Sequence, residues 1–147
     1  MAIYRPKRRR WTVAVAAGVV GLLLGLLVGW GLRPDPDPAE ALEEVEVAIR
    51  GAEGSLEVVE VEYGESVTDG EVVATPEYEG ARAALASSRN RYLEVRQAVA
   101  SVAPNNAAEI DRAYDELNRL VDERAPTEQV ASLVTELAGM LTGALGE

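Results

Sequence analysis

The chain has 147 residues and a formal net charge of −11, with no Cys and no His. These absences exclude disulfides, thiolate metal sites, haem attachment through cysteine and any His-based catalytic triad. A metal held by this chain alone must therefore be bound by oxygen, from carboxylates, Tyr, amides or backbone carbonyls.

Residues 1–10 carry Arg5, Lys7, Arg8, Arg9 and Arg10 and no acid, whereas residues 34–147 hold all 25 acids against eight Arg. So acidic a domain repels nucleic acid and anionic lipid and attracts cations or a basic partner; a merely well-solvated surface is the plainer reading. Residues 11–32, WTVAVAAGVVGLLLGLLVGWGL, contain no charged residue. As a helix they extend about 33 Å, enough to cross a hydrocarbon core of about 30 Å. Trp11 and Trp30 lie near the two ends, as interfacial aromatics do. The basic block before the span puts residues 1–10 in the cytoplasm and the rest outside, in a single-pass, signal-anchor topology in the cytoplasmic membrane. A cleaved signal peptide fits less well, because its apolar run is shorter and GWGLRPDPDP offers no small-x-small site. Gly18, Gly21, Gly25 and Gly29 share one side of the span, a face suited to self-association or to docking on a polytopic membrane protein; a generic Gly-rich span reads equally well.

Residues 33–38, RPDPDP, form a short stiff spacer, with Asp37 placed to cap a helix that opens at Pro38. The outer domain, residues 39–147, starts with a helix from Ala39 to about Glu60, on which Leu42, Val45, Ile49, Ala52, Leu56 and Val59 recur every three or four residues. Gly51 and Gly54 mark where it would kink or break, and VVEVEY (58–63) alternates in a way that also fits a strand. Gly64, Asp69-Gly70 and Pro76 make 63–77 a structured loop with a short hairpin at Asp69-Gly70. A second helix runs from Pro76 to Ala103 with Thr75 as N-cap. Its apolar face is Ala81, Leu85, Ser88, Tyr92, Val95, Val99 and Val102, at alternating spacings of four and three. Asn105 or Asn106 caps the third helix, Asn106 forming a capping box with Glu109. Ile110, Ala113, Tyr114, Leu117, Leu120 and Val121 line that helix. Thr127 caps the fourth, lined by Val130, Leu133, Val134, Leu137, Leu141 and Leu145. The expected fold is all-α: an antiparallel four-helix bundle with a structured loop between its first two helices, tethered by one N-terminal transmembrane helix.

No constellation for catalysis is present in the sequence, and the reading is of a protein that is not an enzyme. Oxygen donors are densest around the 63–77 loop. Glu60, Glu62, Asp69, Glu71 and Glu77 are the candidate ligands for iron or another hard cation, should the loop fold back on the helix ends. A solvated acidic rim is the alternative. Tyr63 and Tyr78 flank the loop, where they either ligate iron or plug the end of the bundle with their hydroxyls in water. The charged residues of the third helix read as an ordinary salt-bridged exterior.

The segment Glu62, Tyr63, Val67, Asp69, Gly70, Val72, followed by Glu77 and Tyr78, opens a long helix. Downstream stand Leu117, Leu120, Val121, then Ala125, Pro126 and Val130. This order resembles the extracytoplasmic helical domain of FTR1-type bacterial iron permeases, over residues 40–145. Those permeases carry the ion on several membrane helices with Arg-Glu-x-x-Glu motifs, and this sequence has no such motif. The resemblance implies a membrane-anchored accessory protein of iron uptake that binds a cation or docks on a permease. The alternative is a structural, interaction or sensor domain without metal.

Overall fold

The computed structural model describes residues 38–144. The predicted tail (1–10), span (11–32) with its Gly18, Gly21, Gly25 and Gly29 face, and most of the spacer lie outside the described residues, as do Asp37 and Leu145. The elements in order are α1 (Pro38–Ser66), β1 (Val67–Thr68), β2 (Glu71–Val72), α2 (Thr75–Val102), α3 (Pro104–Asp122) and α4 (Thr127–Gly143). Among the described residues no helix is long and apolar enough to cross a membrane.

The helices pack in a ring: α1 on α2, α2 on α3, α3 on α4, and α4 back on α1. Cross-helix contacts fix the directions. Ser88 donates to the Ala52 carbonyl at 2.9 Å, and Gly80 lies beside Glu62, so α1 and α2 are antiparallel. Arg82, Arg89 and Arg96 meet Asp122, Asp115 and Asp111 in turn, so α2 and α3 are antiparallel too. Thr142 bonds Glu53 across α4 and α1, while Tyr63 reaches Ala125 just before α4 begins. The result is the expected all-α four-helix bundle.

The core follows the periodicity of the sequence. Ile49, Ala52, Leu56, Leu85, Tyr92, Ile110, Tyr114, Leu117, Leu137 and Leu141 are all buried. No Phe is available, so three tyrosines, Tyr63, Tyr92 and Tyr114, supply the largest buried side chains. Burying a phenol requires a partner for its hydroxyl. Tyr114 shares a 2.8 Å hydrogen bond with Ser88, and Tyr92 donates to the Ala107 carbonyl at 3.1 Å. The Tyr92 and Tyr114 rings stack with centroids 5.6 Å apart. Among the described residues no buried side-chain polar atom lacks a partner.

Several local expectations are corrected. Helix α1 does not stop near Glu60 or turn extended at VVEVEY; it is one helix to Ser66. Tyr63 continues the stripe set by Leu56 and Val59, and its burial draws the last turn onto the bundle. Gly51 does not break the helix. The Arg91 side chain lies across it, with Nη1 2.8 Å from where a Cβ would stand. Thr75, Asn105, Asn106 and Thr127 are not N-caps. Those positions fall to Ala74, Ala103 and Pro126, without side-chain cap bonds. Pro76 and Pro104 start α2 and α3 through their fixed φ and missing N–H, which leaves less for a capping side chain to do. Val102, assigned to the α2 seam, is 86% exposed, because the seam leaves the bundle at its last turn.

The α3–α4 turn is a Schellman motif. Ala125 N–H donates to the Leu120 carbonyl at 2.9 Å and Arg124 N–H to Val121 at 3.1 Å. Arg124 takes the left-handed conformation (φ 55°) where glycine is usual.

Candidate functional site

The hairpin forms where the sequence placed it. Val67 pairs with Val72 and Thr68 with Glu71 in antiparallel register. Asp69 (φ 51°) and Gly70 (φ 78°) both have positive φ, as a type I′ turn demands. The hairpin is held at its base by the buried Ser66. Its carbonyl accepts from Val73 N–H at 2.8 Å, and its hydroxyl donates to the Tyr63 carbonyl at 3.1 Å. At its tip, Gly70 lies beside the Arg124 carbonyl, which a Cβ there would meet at an ordinary contact of 3.8 Å. Hairpin and α3–α4 turn thus share one end of the bundle.

The five predicted carboxylates are distributed around that end. Glu60 is exposed on α1, Asp69 and Glu71 are exposed on the hairpin, and Glu62 and Glu77 are half-buried on α1 and α2. Glu62 lies over Gly80, its Oε2 3.0 Å from where a Cβ would stand. Glu77 is in the first turn of α2, where a carboxylate complements the helix dipole. Among the described residues no three acidic side chains gather into a ligand set.

Tyr63 and Tyr78 have their hydroxyls bonded to protein, not left in water. Tyr63 donates to the Ala125 carbonyl at 2.7 Å and Tyr78 to the Val121 carbonyl at 2.9 Å. Val121 is in the last turn of α3 and Ala125 follows its end, so both tyrosines tie their helices to the α3–α4 turn: Tyr78 shares the Val121 carbonyl with Arg124 N–H, and Tyr63 takes the Ala125 carbonyl beyond the helix. The two rings pack 6.4 Å apart. Burial pushes the Tyr63 hydroxyl up to about 12, which disfavours the phenolate that metal ligation needs. Tyr63 therefore acts as a lock between α1 and the α3–α4 turn.

Between the hairpin tip and this turn lies a cleft of about 550 Å³, bordered by Thr68, Asp69, Gly70, Arg124, Thr127 and Glu128. Two carboxylates beside one guanidinium make it polar and partly neutralised.

An iron permease-associated 4-helix bundle domain model matches residues 38–147, three quarters of the chain and the whole of this bundle. The chain belongs to that family. It is not a family of enzymes, and its association with iron permeases connects the chain to iron uptake and to the membrane. No curated protein and no solved structure matches the chain.

Two features of this permease-associated bundle were not read from the sequence. The first is an ion-pair ladder joining α2 to α3. Arg89 Nη2 is 2.6 Å from Asp115 Oδ1, Arg96 Nε is 2.9 Å from both oxygens of Asp111, and Arg82 Nε is 3.6 Å from Asp122. The Arg96 hydrogen bond holds the Asp111 carboxyl below its usual range. The signal was present: Arg82, Arg89 and Arg96 recur every seven residues, each one step after a seam residue. The second is the buried Ser88–Tyr114 pair, visible as a hydroxyl at a seam position.

Proposed function

We propose that this chain is a membrane-tethered accessory component of iron uptake that works by associating with a permease and does not itself move the ion. The observation that carries this reading is the match of the whole bundle to a permease-associated domain in a sequence without an Arg-Glu-x-x-Glu motif. In this reading residues 11–32 span the cytoplasmic membrane with the basic tail inside. Gly18, Gly21, Gly25 and Gly29 give the span a smooth face toward the permease helices, and RPDPDP holds the bundle off the outer surface. Iron is the cargo. The dispersed carboxylates Glu60, Glu62, Asp69, Glu71 and Glu77 enrich cations near the bundle through their summed field, without chelating one.

Radioiron uptake by cells with and without the chain, together with co-purification of a polytopic iron permease on the tagged full chain, tests this. The reading expects lower uptake without the chain and recovery of the permease with it. Unchanged uptake and no permease would refute it. Titration of the full chain in detergent with Fe³⁺, Fe²⁺ and Ca²⁺ tests the role of the carboxylates. Weak binding, insensitive to Glu62→Gln plus Glu77→Gln, is expected; tight binding abolished by that pair would establish a chelate site instead.

A further inference from the structure

Helix α1 carries two apolar stripes on opposite sides. One, through Ile49, Ala52, Leu56, Val59 and Tyr63, is buried in the core. The other runs Val47, Gly51, Gly54, Val58 and Val61, at spacings of four, three, four and three. Its valines face outward: Val47 is 60%, Val58 45% and Val61 59% exposed. A Cβ on Gly54 would meet nothing within 4 Å. The stripe is about 21 Å long at 1.5 Å per residue. Other exposed large apolar residues lie apart from it, Leu42 near the start of α1, Val73 just after β2, and Leu93 and Val102 nine residues apart on α2, which is ordinary for a protein surface. A four-three repeat on one face is the pattern that accepts knobs from a second helix, and Gly54 leaves a hole for a large one.

The charge around the stripe selects the occupant. Glu44 and Glu65 continue the same spacing at its two ends, and Glu43, Glu57 and Glu62 flank it. Against these five stand Arg50, already bonded to Glu46, and Arg91, which lies over Gly51. A second copy would fit poorly. Pairing parallel sets each carboxylate against itself, and pairing antiparallel sets Glu43 and Glu44 against Glu62 and Glu65.

We propose that the outward stripe of α1 docks an amphipathic helix of another protein whose apolar seam is flanked by Lys and Arg. This goes beyond the uptake reading, since the surface selects its partner by helix pattern and charge whatever that partner transports.

The probe is a fluorescein-labelled peptide of about six helical turns, with Leu at four-three spacing and Lys and Arg on both flanks, titrated against the full chain in detergent micelles. A scrambled peptide of identical composition is the control. Saturable one-to-one binding is expected, about tenfold or more tighter than the scrambled peptide and weakened by a similar factor in V58E/V61E. If that variant folds poorly, Gly54→Lys replaces it, because its side chain enters open space. Equal binding of the scrambled peptide would overturn the proposal in favour of a merely acidic surface. Self-association in sedimentation that V58E/V61E abolishes would overturn it in favour of a second copy. Both readouts are independent of iron uptake, so failure here leaves the uptake reading to its own test.

Discussion

Helices α1 and α2 are nearly equal in length, 29 and 28 residues, and each has a four-three seam in the core. Their charges differ. α1 carries nine acids and one Arg, whereas α2 carries three acids and four Arg. Three of the α2 arginines are paired across the bundle surface with Asp111, Asp115 and Asp122 of α3. Most acids of α1 face water, around a second apolar stripe that the rest of the bundle leaves exposed except at Gly51, where Arg91 of α2 lies over it. α2 is built to hold the bundle together. α1 does that with one side and presents the other outward.

The comparison can be broken first in the core, where the two helices should behave alike. Leu56→Ala on α1 and Leu85→Ala on α2 each remove a fully buried side chain and should each cost about 2–5 kcal/mol in urea unfolding. A much smaller loss for Leu56 would mean that α1 is not integral to the bundle. Next comes Tyr63→Phe, which leaves the Ala125 carbonyl without its donor and should cost about 1–3 kcal/mol. Tyr63, Tyr92 and Tyr114 are all pushed up to about 12 by burial. Their folded values exceed the unfolded value of about 10, so their contribution is complete below pH 10 and is lost as pH rises toward 12. Tyrosinate absorbance should therefore rise together with loss of helical circular dichroism.

Smaller effects sharpen the contrast. Arg124→Gly should stabilise by about 1 kcal/mol, because glycine takes the left-handed position without the Cβ clash. Asp111→Asn should cost less than about 1 kcal/mol, since the ladder is largely exposed. Its sign is set by the lowered carboxyl: the stabilisation is complete above about pH 4 and disappears as pH falls through the folded value. Smallest of all, V58E/V61E should change the unfolding free energy measured in urea by no more than about 0.5 kcal/mol, as surface changes do. A large loss would place those valines in the core and erase the difference between the two sides of α1.

Much of this fold was legible because helix periodicity and Pro positions are local signals. The buried faces of α3 and α4 follow the sequence almost residue for residue, and Asp69-Gly70 announced its turn. Helix ends were read less well. The caps were assigned to Thr and Asn by side-chain chemistry, but the proline backbones at 76 and 104 had already set where α2 and α3 begin. The end of α1 depended on Tyr63 reaching Ala125, 62 residues away, which no local pattern carries. The grouping of the candidate metal residues, of which no three gather among the described residues, was not legible for a related reason. Density of carboxylates along a chain says nothing of convergence. The outward stripe of α1 was hidden because Gly51 and Gly54 read as helix breaks and Val58 and Val61 as part of an alternating run.

We propose that the two readings meet in one function: the bundle serves iron uptake with the outward face of α1 as a second contact beside the span, and not through a chelate at its hairpin end. Radioiron uptake in cells carrying the V58E/V61E chain, compared with cells carrying D69N/E71Q/E77Q, tests it most directly. The account predicts that the first falls to the level of cells lacking the chain while the second stays near that of the unmodified protein. The reverse pattern, with the carboxylate variant inactive and the valine variant unaffected, would contradict it.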